Sequence, residues 1–264
     1  MSTGLLYRST TVARHELRIL SQDPSPLIAL VVMPLLVITF LRPAFRSILV
    51  QEGYTWANGS EQAVPGLTVM FSFFVVSFGG LMLFREHGWH TWSRLQVTGV
   101  RTAEIVAGKM APLLVLLALQ FGLVFGVGAL AFGLRVHGSP VAMVLVFLAL
   151  SACQIGLTML LFSICRTDQQ MIAITNVLTM LFGGLGGALV PVAALPGWAR
   201  AVSPATPAYW AIRGFRSVTL NGGGVSDVLL PVAVLFGTGA VLAAIASLRL
   251  SGSASKSAKG TRGY

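Results

Sequence analysis

Six long apolar segments constrain the fold of this chain more than any other feature of its sequence. A helix of about 20 apolar residues crosses the hydrocarbon core of a bilayer and satisfies its own backbone hydrogen bonds, which an open sheet cannot do in lipid. The sequence therefore predicts an all-α integral membrane protein with one transmembrane domain, residues 1–250. The six predicted spans are 26–41, 65–84, 110–132, 141–165, 171–190 and 228–248. The outer end of the first span stays open, because Ile48 to Val50 could extend it.

The composition and the distribution of charge agree with a lipid environment. Of the 264 residues, 55% are hydrophobic and 10% are charged, against about 25% charged residues in soluble domains. The net charge of +10 does not indicate nucleic-acid binding, because the basic residues are dispersed among the loops between spans. Twelve of the 18 Lys and Arg residues lie on the side of the two termini and loop 85–109. The positive-inside rule predicts that this side is cytoplasmic, where anionic membrane lipids attract basic residues.

Three segments at the cytoplasmic side have their own patterns. Residues 5–20 are predicted to form an amphipathic helix, which lies along the membrane surface or packs as a cap on other cytoplasmic loops. Thr167, or else Asp168, is predicted to cap the fifth span, because Thr167 and Gln170 have capping-box spacing. The tail 251–264 is rich in Ser, Gly, Ala and Lys and is predicted to be disordered.

The segment 191–218 is moderately apolar but cannot form one spanning helix, because four prolines interrupt it. They are Pro191, Pro196, Pro204 and Pro207. The pattern predicts short interfacial or re-entrant helices on the outer side. Trp198, Tyr209 and Trp210 are expected at the depth of the lipid headgroups.

The six predicted spans contain no Asp, Glu, His, Lys or Arg. Ion-coupled transporters usually keep such groups within the membrane, and an intramembrane enzyme needs a nucleophile, a base or a metal cluster. The most polar residues in the spans are Gln120, Gln154 and Asn176. They either form hydrogen bonds between helices or line a substrate path. The small-residue pairs Gly122 with Gly126 and Gly183 with Gly187 indicate close helix packing or, alternatively, a hinge.

No catalytic residue, metal site or bound cofactor is predicted in this chain. Gly108-Lys109 is followed by Met110, so the Ser or Thr of a phosphate-binding loop is missing. If the protein is driven by ATP, the ATPase is therefore another chain, and loop 85–109 is its natural contact surface.

Two sequence motifs give the chain a resemblance to the permeases of type-2 ATP-binding-cassette (ABC) transporters. The first motif comprises Arg85-Glu86-His87-Gly88, Thr91, Leu95, Arg101, Glu104 and Gly108-Lys109, and resembles the family's coupling helix. The second comprises Pro191, Leu195-Pro196-Gly197-Trp198, Pro204, Pro207, Tyr209-Trp210 and Arg213, and resembles the outer segment of drug-type exporters.

The resemblance implies a multi-pass protein of a bacterial inner membrane, with an N-terminal amphipathic helix and a coupling helix after the second span. It implies two permease copies, as a homodimer or with a close relative, and two ATPase subunits that bind ATP and Mg²⁺. The residues that it assigns to ATPase coupling are Arg85, Glu86, Gly88, Thr91, Leu95 and Arg101. Those that it assigns to the outer gate are Pro191, Pro196, Trp198, Pro207, Trp210 and Arg213.

The leading hypothesis is the export of an amphipathic or hydrophobic compound, such as a drug, an antibiotic or a lipid. A polysaccharide or glycolipid exporter is the alternative within the family. Outside it, the alternatives are an intramembrane lipid-modifying enzyme and a receptor-like or assembly subunit.

Overall fold

The computed structural model describes the backbone of residues 25–88 and 102–260 and the side chains of residues 28–84 and 110–249. All regular structure in these ranges is helical, which confirms the predicted all-α class for them. Two short 3-10 turns, Val192–Ala194 and Ser203–Ala205, interrupt the Pro-rich segment. The α-helices of the described ranges are Ser25–Gln51 (α1), Ser60–Ser72 (α2), Phe74–Gly88 (α3), Thr102–Ala131 (α4), Pro140–Ile164 (α5), Asp168–Leu185 (α6), Gly197–Val202 (α7), Pro207–Thr219 (α8) and Val225–Gly260 (α9).

Five helical segments of the described ranges are long and apolar enough to cross a membrane, and the protein is a multi-pass membrane protein. The predicted fifth span, 171–190, differs from the others. Its helix α6 begins with Asp168-Gln169-Gln170 and contains Asn176, residues that lower its mean hydropathy. The count of six spans therefore stays a prediction. The five segments are Ile28–Gln51, Ser60–Phe84, Met110–Ala131, Pro140–Ile164 and Val225–Arg249.

The first two spans are longer than the sequence predicted. Helix α1 continues through Pro43 to Gln51, so Arg42 lies within the helix instead of at its end. The Arg42 guanidinium donates a hydrogen bond to the Phe132 carbonyl at 3.4 Å, which gives this charge a partner inside the fold. Helix α2 begins at Ser60, before the predicted start of the second span at Pro65. The helices of the first two spans therefore continue beyond the predicted charge-free cores and include charged residues at their ends.

The second span is interrupted at Phe73, between α2 and α3. Around this point the backbone forms hydrogen bonds to the third preceding residue, from the Phe73 amide to the Met70 carbonyl and from the Val76 amide to the Phe73 carbonyl. Such tighter turns within a helix are often associated with hinges. The two halves of the span are therefore separate helical units.

Helices α5 and α9 make the closest helix pair of the structure, through glycine. A Cβ atom at Gly156 would lie 2.4 Å from the Gly239 carbonyl oxygen, and one at Gly239 would lie 2.9 Å from the Cα of Cys153. Backbone-to-backbone approach of this kind maximises van der Waals contact between helices in lipid, where no hydrophobic effect drives association. This pair was not among the predicted glycine contacts.

The predicted glycine pairs have different surroundings. Gly183 faces the Met70 side chain, so it does permit close packing of α6 against α2. Gly187 follows the end of α6 with a φ of +92°, a conformation that favours glycine. A Cβ at Gly122 or Gly126 would meet nothing within 4 Å among the described residues.

Helix α8 is inserted into the bundle near one end. The Phe215 ring lies 5.7 Å from the ring of Phe121 and 5.6 Å from that of Phe125, measured between centroids. Helices α1 and α6 end here and α9 begins here, and residues 191–219 surround this end of the bundle. We call it the Pro-rich end. The other end, with the turn between α5 and α6, is called the opposite end.

Two predictions concern the chain termini. The predicted amphipathic helix 5–20 lies outside the described residues. Helix α9 continues to Gly260, into the segment 251–264 for which the sequence predicted disorder. At the turn between α5 and α6, the predicted cap is confirmed, because the Thr167 hydroxyl accepts a hydrogen bond from the backbone N–H of Gln170 at 3.2 Å.

The glycine contact between α5 and α9 can be tested by adding one methyl group. Gly239→Ala should destabilise the protein by about 1–3 kcal/mol, the usual cost of overpacking, because the new Cβ meets backbone atoms. Gly237→Ala is the matched control on the same helix, since its Cβ would meet nothing within 4 Å. Thermal unfolding of the purified protein in detergent measures both. Equal melting temperatures would contradict the proposed backbone contact.

Candidate functional site

The predicted ATPase-coupling residues lie at and beyond the end of α3. The backbone of Arg85, Glu86 and Gly88 belongs to the last turns of this helix. Thr91, Leu95 and Arg101 lie outside the described residues. The coupling assignment therefore stays a prediction, but the structure shows what holds the helix that leads to it.

Helix α3 is held against its neighbours at two glycines, where side chains from α5 and α6 pack directly on its backbone. A Cβ at Gly80 would collide with the Met171 side chain of α6, and one at Gly79 would lie 2.8 Å from the Thr158 methyl group of α5. Nearer the opposite end, the Phe84 ring packs edge-on against Phe162 with centroids 5.1 Å apart. A displacement of α3 would thus be transmitted to α5 and α6.

Two of the predicted path residues lie inside the bundle and are bonded to α2, the helix that precedes the break in the second span. The Gln154 amide donates a hydrogen bond to the Ser72 hydroxyl at 2.6 Å, and the Gln120 amide donates to the Thr68 carbonyl at 3.3 Å. Both glutamine side chains are buried. This geometry favours the alternative in which they join helices to each other.

Four buried polar oxygens near the break have no hydrogen-bond partner among the described residues. They belong to Ser77, Gln120, Gln154 and Thr175. An unpaired polar atom is costly in an apolar interior, where neither lipid nor a packed side chain replaces water. These are four of the five such oxygens in the described residues, and the fifth, Gln62 Oε1, lies at the start of α2. A rearrangement that gave them partners would recover part of that cost.

The third predicted path residue, Asn176, lies on the exposed face of α6. Its neighbours on that face include Val177 and Met180, which are 60% and 57% exposed. The opposite face of the helix is buried through Met171, Thr175 and Thr179. The structure thus separates Asn176 from the two buried glutamines.

The predicted outer-gate residues shape the turns of the Pro-rich segment. Pro191 and Pro196 precede a 3-10 turn and α7, and Pro207 begins α8, where a missing backbone N–H is tolerated. The Trp210 indole donates a hydrogen bond to the Pro204 carbonyl at 2.8 Å.

Two aromatic rings of this segment have different surroundings. The Arg213 guanidinium lies over the Trp210 ring, 5.5 Å from its centroid. Trp198 on α7 is 70% exposed. Its exposure is that expected of an indole at headgroup depth.

Sequence reasoning missed the polar residues at the start of α2. The Gln62 side-chain amide donates to the Gly187 carbonyl at 2.9 Å, and the buried Glu61 carboxylate accepts from the backbone N–H of Asn58 at 3.1 Å. These contacts tie α2 to the end of α6 and to the preceding loop. The spacing of Asn58 and Glu61, which is that of a capping box, was the available signal.

Comparison with known proteins gives consistent results. The chain is 25% identical over 175 residues to the linearmycin resistance permease protein LnrN of Bacillus subtilis. The aligned residues make up 66% of this chain and 45% of that protein. It is 27% identical over 157 residues to the probable multidrug ABC transporter permease YbhR of Escherichia coli strain K12, covering 59% of this chain and 42% of that protein. The chain therefore spans less than half the length of these curated relatives. No solved structure matches it.

A family model gives the assignment directly. The model described as ABC-2 family transporter protein matches residues 47–248, which include the described helices from the end of α1 to most of α9. This range contains both of the motifs on which the resemblance rests. The chain belongs to the ABC-2 family of membrane transporter proteins.

Proposed function

We propose that the chain is the membrane-spanning permease subunit of an ATP-driven exporter and forms one wall of the path of an amphipathic or hydrophobic compound. One observation supports this proposal most, namely the mixed face that α6 exposes, with an amide at Asn176 beside the apolar side chains of Val177 and Met180. The names of the relatives, a linearmycin resistance permease and a probable multidrug permease, support a drug, an antibiotic or a lipid as cargo.

The exposed amide of Asn176 is poorly suited to lipid. Among the described residues it has no hydrogen-bond partner, whereas the exposed Thr39 hydroxyl on α1 donates to the Leu35 carbonyl of its own helix at 2.9 Å. Transferring an unpaired amide into an apolar medium costs about 2–7 kcal/mol. The Asn176 amide can form hydrogen bonds if this face borders a hydrated path or a second permease copy. The mixture of polar and apolar side chains also suits a cargo with polar and apolar parts.

The complete transporter, in this proposal, contains two permease copies and two ABC ATPase subunits. The second permease is the same chain or a close relative, and the ATPases bind ATP and Mg²⁺. The distribution of Lys and Arg supports cytoplasmic termini in a bacterial inner membrane. The Pro-rich end then faces outward, with its short helices as the outer gate.

The contacts of α3 provide a route for coupling. Closure of the ATPases would displace the segment from Arg85 to Arg101, and α3 would carry this displacement into α6 through Met171. The outer half of the span stays with the Pro-rich end, since Gln62 is bonded to the Gly187 carbonyl. The two halves can move separately at Phe73, where the unpaired polar oxygens can gain partners in the second state.

Substitution at the coupling segment tests the connection to the ATPase. Glu86→Ala and Arg85→Ala should lower ATPase recovery in a pull-down from native membranes, or cargo-stimulated ATP hydrolysis, by about tenfold, equivalent to about 1.4 kcal/mol. Arg135→Ala, on the exposed loop at the Pro-rich end, is the control and should leave both unchanged.

Two outcomes of this experiment would count against the proposal. Recovery of no P-loop ATPase with the unmodified protein would refute the exporter function. Normal ATPase recovery and normal stimulated hydrolysis in both variants would instead remove loop 85–109 from the coupling role and leave the exporter function standing.

Substitution of Asn176 tests the path. In vesicles that contain the permease and its ATPase, the cargo concentration for half-maximal ATPase stimulation should rise about fivefold in Asn176→Leu, because one hydrogen bond to cargo contributes about 1 kcal/mol. Linearmycin and fluorescent phospholipids are suitable cargo probes. Phe236→Leu on the exposed face of α9 is the control. Equal concentrations in the two variants would exclude Asn176 from cargo contact.

A further inference from the structure

A polar cavity lies at the Pro-rich end, outside the path proposed along α6. Its volume is about 520 Å³. Its walls come from the end of α1, the end of α6, one face of α8 and the start of α9. Its polar lining includes Glu52, Tyr54, Arg213, Arg216, Asn221 and Asp227.

Both carboxylates of this cavity are already engaged within the chain. The Glu52 carboxylate is paired with the Arg216 guanidinium at 2.5 Å. The Asp227 carboxylate accepts a hydrogen bond from the Gly224 amide at 2.7 Å, at the start of α9. These partners are part of the fold itself. The Glu52 charge is thus neutralised by an arginine, whereas Asp227 has a backbone N–H as its partner and keeps its negative charge.

The donors of the cavity, in contrast, are left available. Arg213 has no carboxylate partner among the described residues, and the Trp210 ring covers one side of its guanidinium. Stacking on an aromatic ring leaves the in-plane N–H groups of an arginine free to form a fork with an anion. The Tyr54 hydroxyl donates to the Asn221 side-chain carbonyl at 2.8 Å, so it holds that amide in place while the amide N–H₂ has no partner among the described residues.

We propose that this cavity binds the phosphate of a phospholipid headgroup, with Arg213 as the main anion-binding residue and Asn221 as a second donor. The cavity exceeds the size of a free phosphate, and the apolar Val192 and Ile212 side chains in its wall suit the glycerol and first acyl carbons. The exposed indoles of Trp56 and Trp198 lie at the same end, as expected at headgroup depth. The site requires neither cargo transport nor an ATPase.

The proposal can be tested with the purified full-length chain in detergent. Dihexanoyl phosphatidylglycerol is the lipid probe and inorganic phosphate is the free-anion probe, with binding measured by isothermal titration calorimetry. The expected result is saturable lipid binding that is at least about tenfold tighter than phosphate binding. Arg213→Gln should raise the lipid Kd about tenfold, and Arg213→Lys should raise it less, because it keeps the charge but loses the fork. Arg135→Gln, an exposed arginine at the same end but outside the cavity, should bind like the unmodified protein.

Each alternative outcome overturns a defined part of the proposal. Equal binding of phosphate and lipid would identify a free-anion site instead of a lipid site. Equal losses in Arg213→Gln and Arg135→Gln would indicate general attraction to basic residues, and no lipid binding would refute the site. Asn221→Ala, which leaves every arginine in place, should weaken lipid binding. Because the measurement involves no ATPase, failure of the exporter function would leave its result unaffected.

Discussion

A polar group that water cannot reach must find its hydrogen-bond partner inside the protein, and the rest of this structure depends on that constraint. The long spans are helical because helices meet the requirement for their backbone. Arg42 meets it through the Phe132 carbonyl and Gln154 through the Ser72 hydroxyl. The polar groups without a partner among the described residues are therefore informative. They lie at the break in the second span, on the exposed face of α6 and in the cavity at the Pro-rich end.

Much of the helical architecture could be predicted, because the signal for a membrane span is the length of an apolar segment. Five predicted spans have counterparts that differ mainly at their ends. The predicted ends were wrong where charged side chains have hydrogen-bond partners inside the fold, as at Arg42 and Glu61, since hydropathy treats such a charge as if it were exposed. The close contact of Gly156 with Gly239 was also missed. A small residue shows where a helix can be approached, but not which helix approaches it.

The candidate site could be predicted only as a set of residue types. Sequence alone selected Gln120, Gln154 and Asn176 together because they are the most polar residues of the spans, and it could not show which way each one points. In the structure the two glutamines are buried at the break near Phe73, whereas Asn176 is exposed. Burial depends on the order in which helices pack around one another, and that order is a property of the whole bundle.

The central claim, that the exposed face of α6 borders a hydrated path instead of lipid, can be measured by thiol labelling in membrane vesicles. Single cysteines would replace Asn176 on α6 and Leu123 on α4, at similar distances from the Pro-rich end, after Cys153 and Cys165 are changed to alanine. A water-soluble methanethiosulfonate needs a hydrated thiolate. The account predicts labelling at position 176 at least about tenfold faster than at position 123. Equally slow labelling at both positions would contradict the hydrated path, because it would leave position 176 in lipid or against a second permease copy.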